Sequence, residues 1–143
     1  MAKIILISCS SKKIPYRTKA KDIYSSPLFK LNLKYAESLN PDKIFILSAK
    51  YGLLDLNQEI KPYNTTWNKM KDDEIKLWAN KVLENLSRET NLKHDEFIFL
   101  AGEKYRKYLV PKINNYKIPL QGLGIGKQLK FLKENVKGMW NSP

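Results

Sequence analysis

The sequence predicts an α/β fold: three layers, α/β/α, around a four-stranded, mainly parallel sheet. Three observations carry this expectation. Short apolar runs alternate with stretches of helical periodicity along the chain, the order that builds parallel sheets with right-handed crossovers. The runs are apolar throughout rather than every second residue, as in strands covered on both faces. The 143 residues are enough for one such domain, expected over 1–137 with a frayed tail at 138–143, but not for two separate cores.

The first strand is expected at Lys3 to Ser8 (KIILIS), which stops at small polar residues as a buried parallel strand does. Ser26 and Pro27 then open a helix, because serine caps the first turn and proline at the first helical position loses no hydrogen bond. Leu28, Leu31, Tyr35 and Leu39 form its apolar stripe, and Asn40-Pro41 ends it. Lys43 to Ser48 (KIFILS) repeats the pattern of the first strand. From Ala49 to about Met70 no helical period appears, a connection of roughly 20 residues, a length at which loops are often functional. A helix opens at Asp72 or Asp73, with Ile75, Trp78, Ala79, Val82, Leu83 and Leu86 at helical spacing. Glu96 to Leu100 (EFIFL) is the third strand. A helix is expected from Gly102 to about Pro111, with Tyr105, Tyr108 and Leu109 on one side. Lys117 to Leu120 is a weak fourth strand, and Ile125 to Val136 the last helix, with Leu129, Leu132 and Val136 inward.

The net charge is +12 and the isoelectric point near 9.7. Such an excess favours polyanions, above all phosphate backbones and nucleotides. Lysines heavily outnumber arginines, so lysine-rich codon usage is an equal reading of the same charge, since arginine makes the better bidentate phosphate contact. A single cysteine forms no internal disulfide, which suits a reducing, cytoplasmic setting. No apolar run approaches the roughly 20 residues of a membrane span, so no membrane partner is expected.

Ligands of open parallel sheets bind beyond the carboxyl ends of the strands. Four groups follow the expected strands: Cys9-Ser10-Ser11-Lys12-Lys13, Ala49-Lys50-Tyr51-Gly52-Leu53, Ala101-Gly102-Glu103, and Gln121-Gly122-Leu123-Gly124-Ile125-Gly126. All four should meet on one edge. The first offers hydroxyls, amides and two ammonium groups to an anion, without the glycines and terminal Lys-Ser/Thr pair of a phosphate-binding Walker loop. Cys9 reads either as a nucleophile, which wants a histidine nearby, or as a small packing residue, and the only histidine, His94, lies just before the third strand, at the opposite edge. Gly122, Gly124 and Gly126 read equally as a tight turn, with Gly126 allowing close helix packing, or as amides for a phosphate at a helix N-terminus. Glu103 is either a favourable charge at a helix start or an acid, base or sugar-hydroxyl acceptor. Tyr51, Tyr63 and Trp67 either stack on a base or close their loop against the core. No set of His, Cys, Asp and Glu has metal-ligand spacing, and no cofactor or metal is expected.

Five ordered motifs resemble a bacterial and phage family of domains of unknown function. They are the Cys9–Lys13 group, Asp22-Ile23-Tyr24-Ser25-Ser26-Pro27-Leu28-Phe29, Ser48 to Leu53 with Pro62-Tyr63, Leu100-Ala101-Gly102-Glu103-Lys104-Tyr105, and Gly122 to Leu129. The Tyr51-Gly52-Leu53-Leu54 stretch with Pro62-Tyr63 is also similar to YaaA peroxide-stress proteins. The Cys9-Ser10 start with its lysines looks like a domain of archaeosine tRNA synthases. The strand–helix order resembles the uracil-DNA glycosylase class of fold, although the water-activating motif and histidine loop of those enzymes are missing. Asn64 stands after Tyr63 where these relatives are expected to carry aspartate.

The resemblances imply work on DNA or on modified nucleobases. The leading expectation is a glycosylase or transglycosylase that cleaves a base–sugar bond in nucleic acid, DNA ahead of RNA. Glu103 or Asp55 would supply the carboxylate. Substrate contacts would come from Cys9, Ser10, Lys12, Lys13, Tyr24, Ser25, Lys50, Tyr51, Gly52, Tyr63, Gly102, Tyr105, Gly122, Gly124 and Gln128. The alternatives are a non-catalytic DNA- or RNA-binding protein of the YaaA type, and an enzyme acting on free nucleotides.

Overall fold

The computed structural model describes residues 1–65 and 69–140. Its elements are β1 (Lys3–Ser8), β2 (Thr18–Lys19), α1 (Ala20–Ile23), α2 (Pro27–Ser38), β3 (Lys43–Ser48), β4 (Gly52–Asp55), β5 (Glu59–Ile60), α3 (Asp72–Glu89), β6 (Glu96–Leu100), α4 (Glu103–Arg106), β7 (Tyr116–Lys117) and α5 (Ile125–Trp140). The main sheet has the order β4-β3-β1-β6-β7. β1 pairs in parallel with β3 and β6, and β6 in parallel with β7, while β4 runs antiparallel to β3. The sheet is α/β in character and mostly parallel, but it has five strands rather than four.

Alternate residues of the central strands supply both faces, as the period of a strand requires. Ile5 and Ile7 of β1, with Ile46 and Ile98, meet Phe29, Leu31 and Ala36 of α2 and Leu132 and Val136 of α5. Ile4 and Leu6, with Phe45, Leu47, Phe97 and Phe99, meet Trp78, Ala79, Val82 and Leu86 of α3. Burying each such side chain contributes about 1.5–3 kcal/mol, and this is why β1, buried on both sides, reads as an unbroken apolar run.

The helix starts follow local chemistry. Ser26 Oγ accepts the Phe29 N–H at 3.2 Å, and Pro27 opens α2. Asp72, Asp73 and Glu74 fill the first turn of α3, where negative charge is favoured, and Glu74 takes the Lys71 N–H at 3.3 Å.

Four expectations need correction. The long connection after β3 holds strand structure. Ala49, Lys50 and Tyr51 make a three-residue turn, and Gly52, with φ +75°, admits the left-handed conformation that returns the chain as β4. β5 then pairs with β2 in a separate two-stranded ribbon. The helix expected from Gly102 to Pro111 is only the single turn α4, then a turn and a 3-10 segment at Val110–Lys112. Pro111 has no N–H to continue an α-helical ladder. The fourth parallel strand ends at Lys117 instead of Leu120, because Pro119 cannot donate to the ladder. Finally, α5 continues to Trp140, so its backbone carries helix into the expected tail, while residues 141–143 lie outside the described residues.

Among the described residues no helix is long and apolar enough to cross a membrane.

Candidate functional site

The carboxyl ends of β1, β3 and β6 lie side by side, as their parallel register dictates. The chain leaving β1 is anchored at once. The Cys9 N–H donates to Leu47 O at 3.0 Å, Ile14 N–H to Ile23 O at 2.9 Å, and Ser25 N–H to Lys12 O at 3.0 Å. These bonds fold Cys9–Lys13 back over α1 and the start of α2. Ser10 Oγ donates to Lys12 O at 3.1 Å, which tightens the loop. Lys12 is exposed, whereas Ser10 and Lys13 are half-buried.

Beneath the loop lies a hydroxyl cluster. Ser48, at the end of β3, is fully buried (0 % exposed). Its Oγ donates to Tyr63 Oη at 2.8 Å and accepts the Tyr51 N–H at 3.0 Å, and its carbonyl accepts Trp78 Nε1–H at 2.7 Å. The phenols of Tyr63 and Tyr24 share a hydrogen bond of 2.7 Å. Lys13 Nζ sits 4.1 Å from the centroid of the Tyr63 ring, a cation–π contact. Burial pushes both phenols well above the ordinary tyrosine range, and the nearby Cys9 raises them further. They therefore stay protonated at neutral pH. Burial lowers the ammonium of Lys13, with Cys9 acting in the opposite sense.

This placement revises two assignments. Tyr24 and Tyr63 are 1 % and 7 % exposed. Their rings belong to the core and do not offer a face to a base. Tyr51 is half-buried, edge-on to Tyr63 at 5.4 Å between centroids. Trp67 lies outside the described residues.

The adjoining feature is a cavity of about 390 Å³ between the ends of β1 and β6, α2 and the start of α5. That is within the size range of ligand pockets. Ser8, Gly102, Glu103, Tyr105, Gly122 and Gln128 line it together with Asn32 and Arg106. Glu103 is the first residue of α4, and its carboxylate is exposed. Arg106 donates through Nε to Ala101 O at 2.9 Å. Among the described residues its two terminal amino groups have no partner. Gln128 is oriented by a 2.8 Å bond from Nε2 to Leu123 O. Cys9 Sγ and Tyr105 Oη lie 3.1 Å apart, and this contact joins the cavity to the loop after β1. Gly122 has φ +81° and needs glycine.

The expected groups thus divide into two neighbouring sets. Gly102, Glu103, Tyr105, Gly122 and Gln128 line the cavity. Cys9, Lys13, Tyr24, Ser25, Tyr51 and Tyr63 form the adjoining loop and its support. Lys50 is exposed, with Nζ 5.2 Å from the Tyr51 ring centroid. Gly52 serves the turn into β4. Gly124 and Gly126 face open space, with nothing within 4 Å of a built Cβ, so close helix packing does not explain Gly126.

Asp55 is not at this site. β4 runs antiparallel and sets Asp55 opposite Phe45, toward the start of β3, beside Asn85 and Arg88 of α3. Asp55→Asn is therefore expected to leave both nucleic-acid binding and any base release at wild-type levels, as a side-by-side assay of the purified variant will show. His94 is exposed in the turn before β6, at the opposite sheet edge. Among the described residues no group of three or more His, Cys, Asp or Glu is placed to hold a metal ion.

A model of a family described as a family of unknown function (DUF6884) matches residues 4–134. The chain belongs to this family. No curated protein and no solved structure matches it. The family model spans every lining residue of the cavity, from Ser8 to Gln128, so the cavity lies wholly within the family domain.

Two lining residues escaped the sequence reading. Arg106 has no sequence signal beyond lying three residues after Glu103. Asn32 does have one: it falls four residues after Leu28 and four before Ala36, in the buried stripe of α2. A polar residue at such a position is the informative exception.

Proposed function

We propose that this protein cleaves or exchanges a nucleobase–sugar bond in nucleic acid, DNA ahead of RNA, without a cofactor, on a three-layer α/β/α frame. The observation that carries the reading is the cavity at the strand ends, where an exposed carboxylate (Glu103), a guanidinium (Arg106) and a buried carboxamide (Asn32) share one space. A base extruded from a strand enters such a pocket while its sugar and phosphates remain at the mouth. Glu103 then either takes a proton from water, whose oxygen bonds to the sugar carbon as the C–N bond breaks, or faces the positive charge that develops on the sugar. The electron pair of the broken bond leaves with the base. Arg106 and the exposed Lys12 and Lys50 hold phosphate oxygens. The resemblances to YaaA proteins, to the archaeosine synthase domain and to the uracil-DNA glycosylase fold class support work on nucleobases, the last by analogy of fold.

The test is mass spectrometry of bases released when the pure protein is incubated with modified and unmodified DNA and RNA. Release by wild type that disappears in Glu103→Gln supports the reading. Salt-sensitive binding with nothing released by any substrate replaces it with the second reading, a non-catalytic binding module, which the charge of +12 also favours.

Both readings require the loop lysines. Lys12→Ala with Lys13→Ala is expected to weaken binding of a short DNA by roughly 10-fold at low salt and to flatten the dependence on salt. Fluorescence anisotropy across a salt series measures both. Lys12, being exposed, should account for most of the loss, since Lys13 is held over the Tyr63 ring.

A further inference from the structure

Among the described residues, the Asn32 carboxamide holds the one buried side-chain oxygen or nitrogen left without a hydrogen-bond partner. Asn32 is 4 % exposed, it lines the cavity, and its Oδ1 has no hydrogen-bond partner among the described residues. Its neighbours on the same helix face, Phe29, Leu31 and Ala36, are apolar and buried. A leucine there would continue the stripe and remove an orphan acceptor. A buried acceptor without a partner destabilises the fold, so this residue contributes nothing to stability that an apolar one would not exceed.

We propose that Asn32 is the specificity-determining residue of the cavity, and that the cavity takes a flat heterocycle, a nucleobase, whose ring N–H or exocyclic amine donates to Asn32 Oδ1. This rests on the reading above only for the class of ligand. Three features select that class. The unpartnered atom is an acceptor oxygen, which repels phosphate and carboxylate and calls for a ligand group that donates. Leu28, Leu100, Leu120 and Leu123 supply apolar walls for the faces of a ring. Glu103, by contrast, is exposed, and Arg106, held through Nε by Ala101 O, brings a positive charge, which suits the sugar-phosphate side. A carboxamide also offers a donor beside its acceptor. That pair matches the adjacent donor and acceptor on a base edge and discriminates among bases.

The experiment titrates wild type and Asn32→Leu with free adenine, guanine, hypoxanthine, cytosine and uracil. Saturation-transfer NMR and calorimetry report affinity, and thermal melting without base reports stability. At least one base should bind wild type at millimolar concentration or below. Asn32→Leu should weaken that base by roughly 10- to 100-fold and should melt above wild type when no base is present. A role confined to structure would not give these opposite changes. Binding of no base to wild type, or equal binding to both proteins, overturns the inference. Should Asn32→Leu fail to fold, Asn32→Ser, too short to reach the same atom, is titrated under the same criterion. The two readings fail separately. Base binding that depends on Asn32, with no base released from any nucleic acid, ends the glycosidic reading and leaves this one. Base release at wild-type rate by Asn32→Leu does the reverse.

Discussion

Glu103→Gln is expected to slow base release by about 100- to 10,000-fold, the range that a positioned general base or charge stabiliser contributes. Affinity for nucleic acid should rise slightly or stay level, because the change removes a negative charge from a surface that attracts phosphate. This separation makes the variant decisive. Glutamine keeps the size and reach of the side chain but neither takes a proton nor balances a cationic sugar. α4 is a single turn, so little helix dipole is lost, and the melting temperature should hardly move. Single-turnover release measured beside anisotropy binding separates the two quantities. Turnover surviving at the wild-type rate would remove Glu103 from the chemistry. Asp55 could not then take its place, since β4 sets it toward the other end of β3.

The second large effect is alkaline unfolding. Tyr24 and Tyr63 have phenols raised above the ordinary value of 10.0, chiefly by burial. Above that pH the unfolded chain releases two protons that the folded protein keeps. The folded state then binds more protons than the unfolded one, and stability falls as pH rises. Each tyrosine contributes a slope of about 1.4 kcal/mol per pH unit, so the two together give about 2.7. Tyr35, raised by partial burial, adds a smaller fall of the same sign. Lys13 has the opposite sign. Its ammonium is depressed below 10.5, so between its folded value and 10.5 the unfolded chain holds the extra proton and stability rises. The profile should therefore climb gently toward about pH 10 and then drop steeply. Urea melts at closely spaced pH values measure it. Tyr24→Phe with Tyr63→Phe should remove most of the drop, at a loss of roughly 1–3 kcal/mol near neutrality from the broken hydroxyl cluster.

The strands that carry the edge were legible because their signal is local and strong. β1, β3 and β6 are buried on both faces, and a continuous apolar run bounded by polar residues records that burial directly. Knowing where each strand ends was enough to bring Glu103, Gly122 and Gln128 to one edge. The start of α2 was equally plain, since Ser26 and Pro27 act on their own first turn.

β4 was not legible. Its four residues have no periodicity of their own, and what makes them a strand is pairing with β3 beyond a turn closed by Gly52. The same hairpin decides Asp55, because reversal of chain direction carries it away from the site. Tyr24 and Tyr63 look in sequence like aromatics available to a base. Only contact across 39 positions shows them bonded to each other within the core.

The sequence by itself determined the class of fold, the core strands and the edge at which their loops converge, since hydrophobic period and capping are properties of neighbouring residues. Tertiary structure alone decided which polar groups share a cavity and which are spent on the framework. Asn32 is the clearest case: its place in an apolar stripe is written in the chain, but its unpaired oxygen beside an open space exists only once α2, α5 and the ends of β1 and β6 have packed.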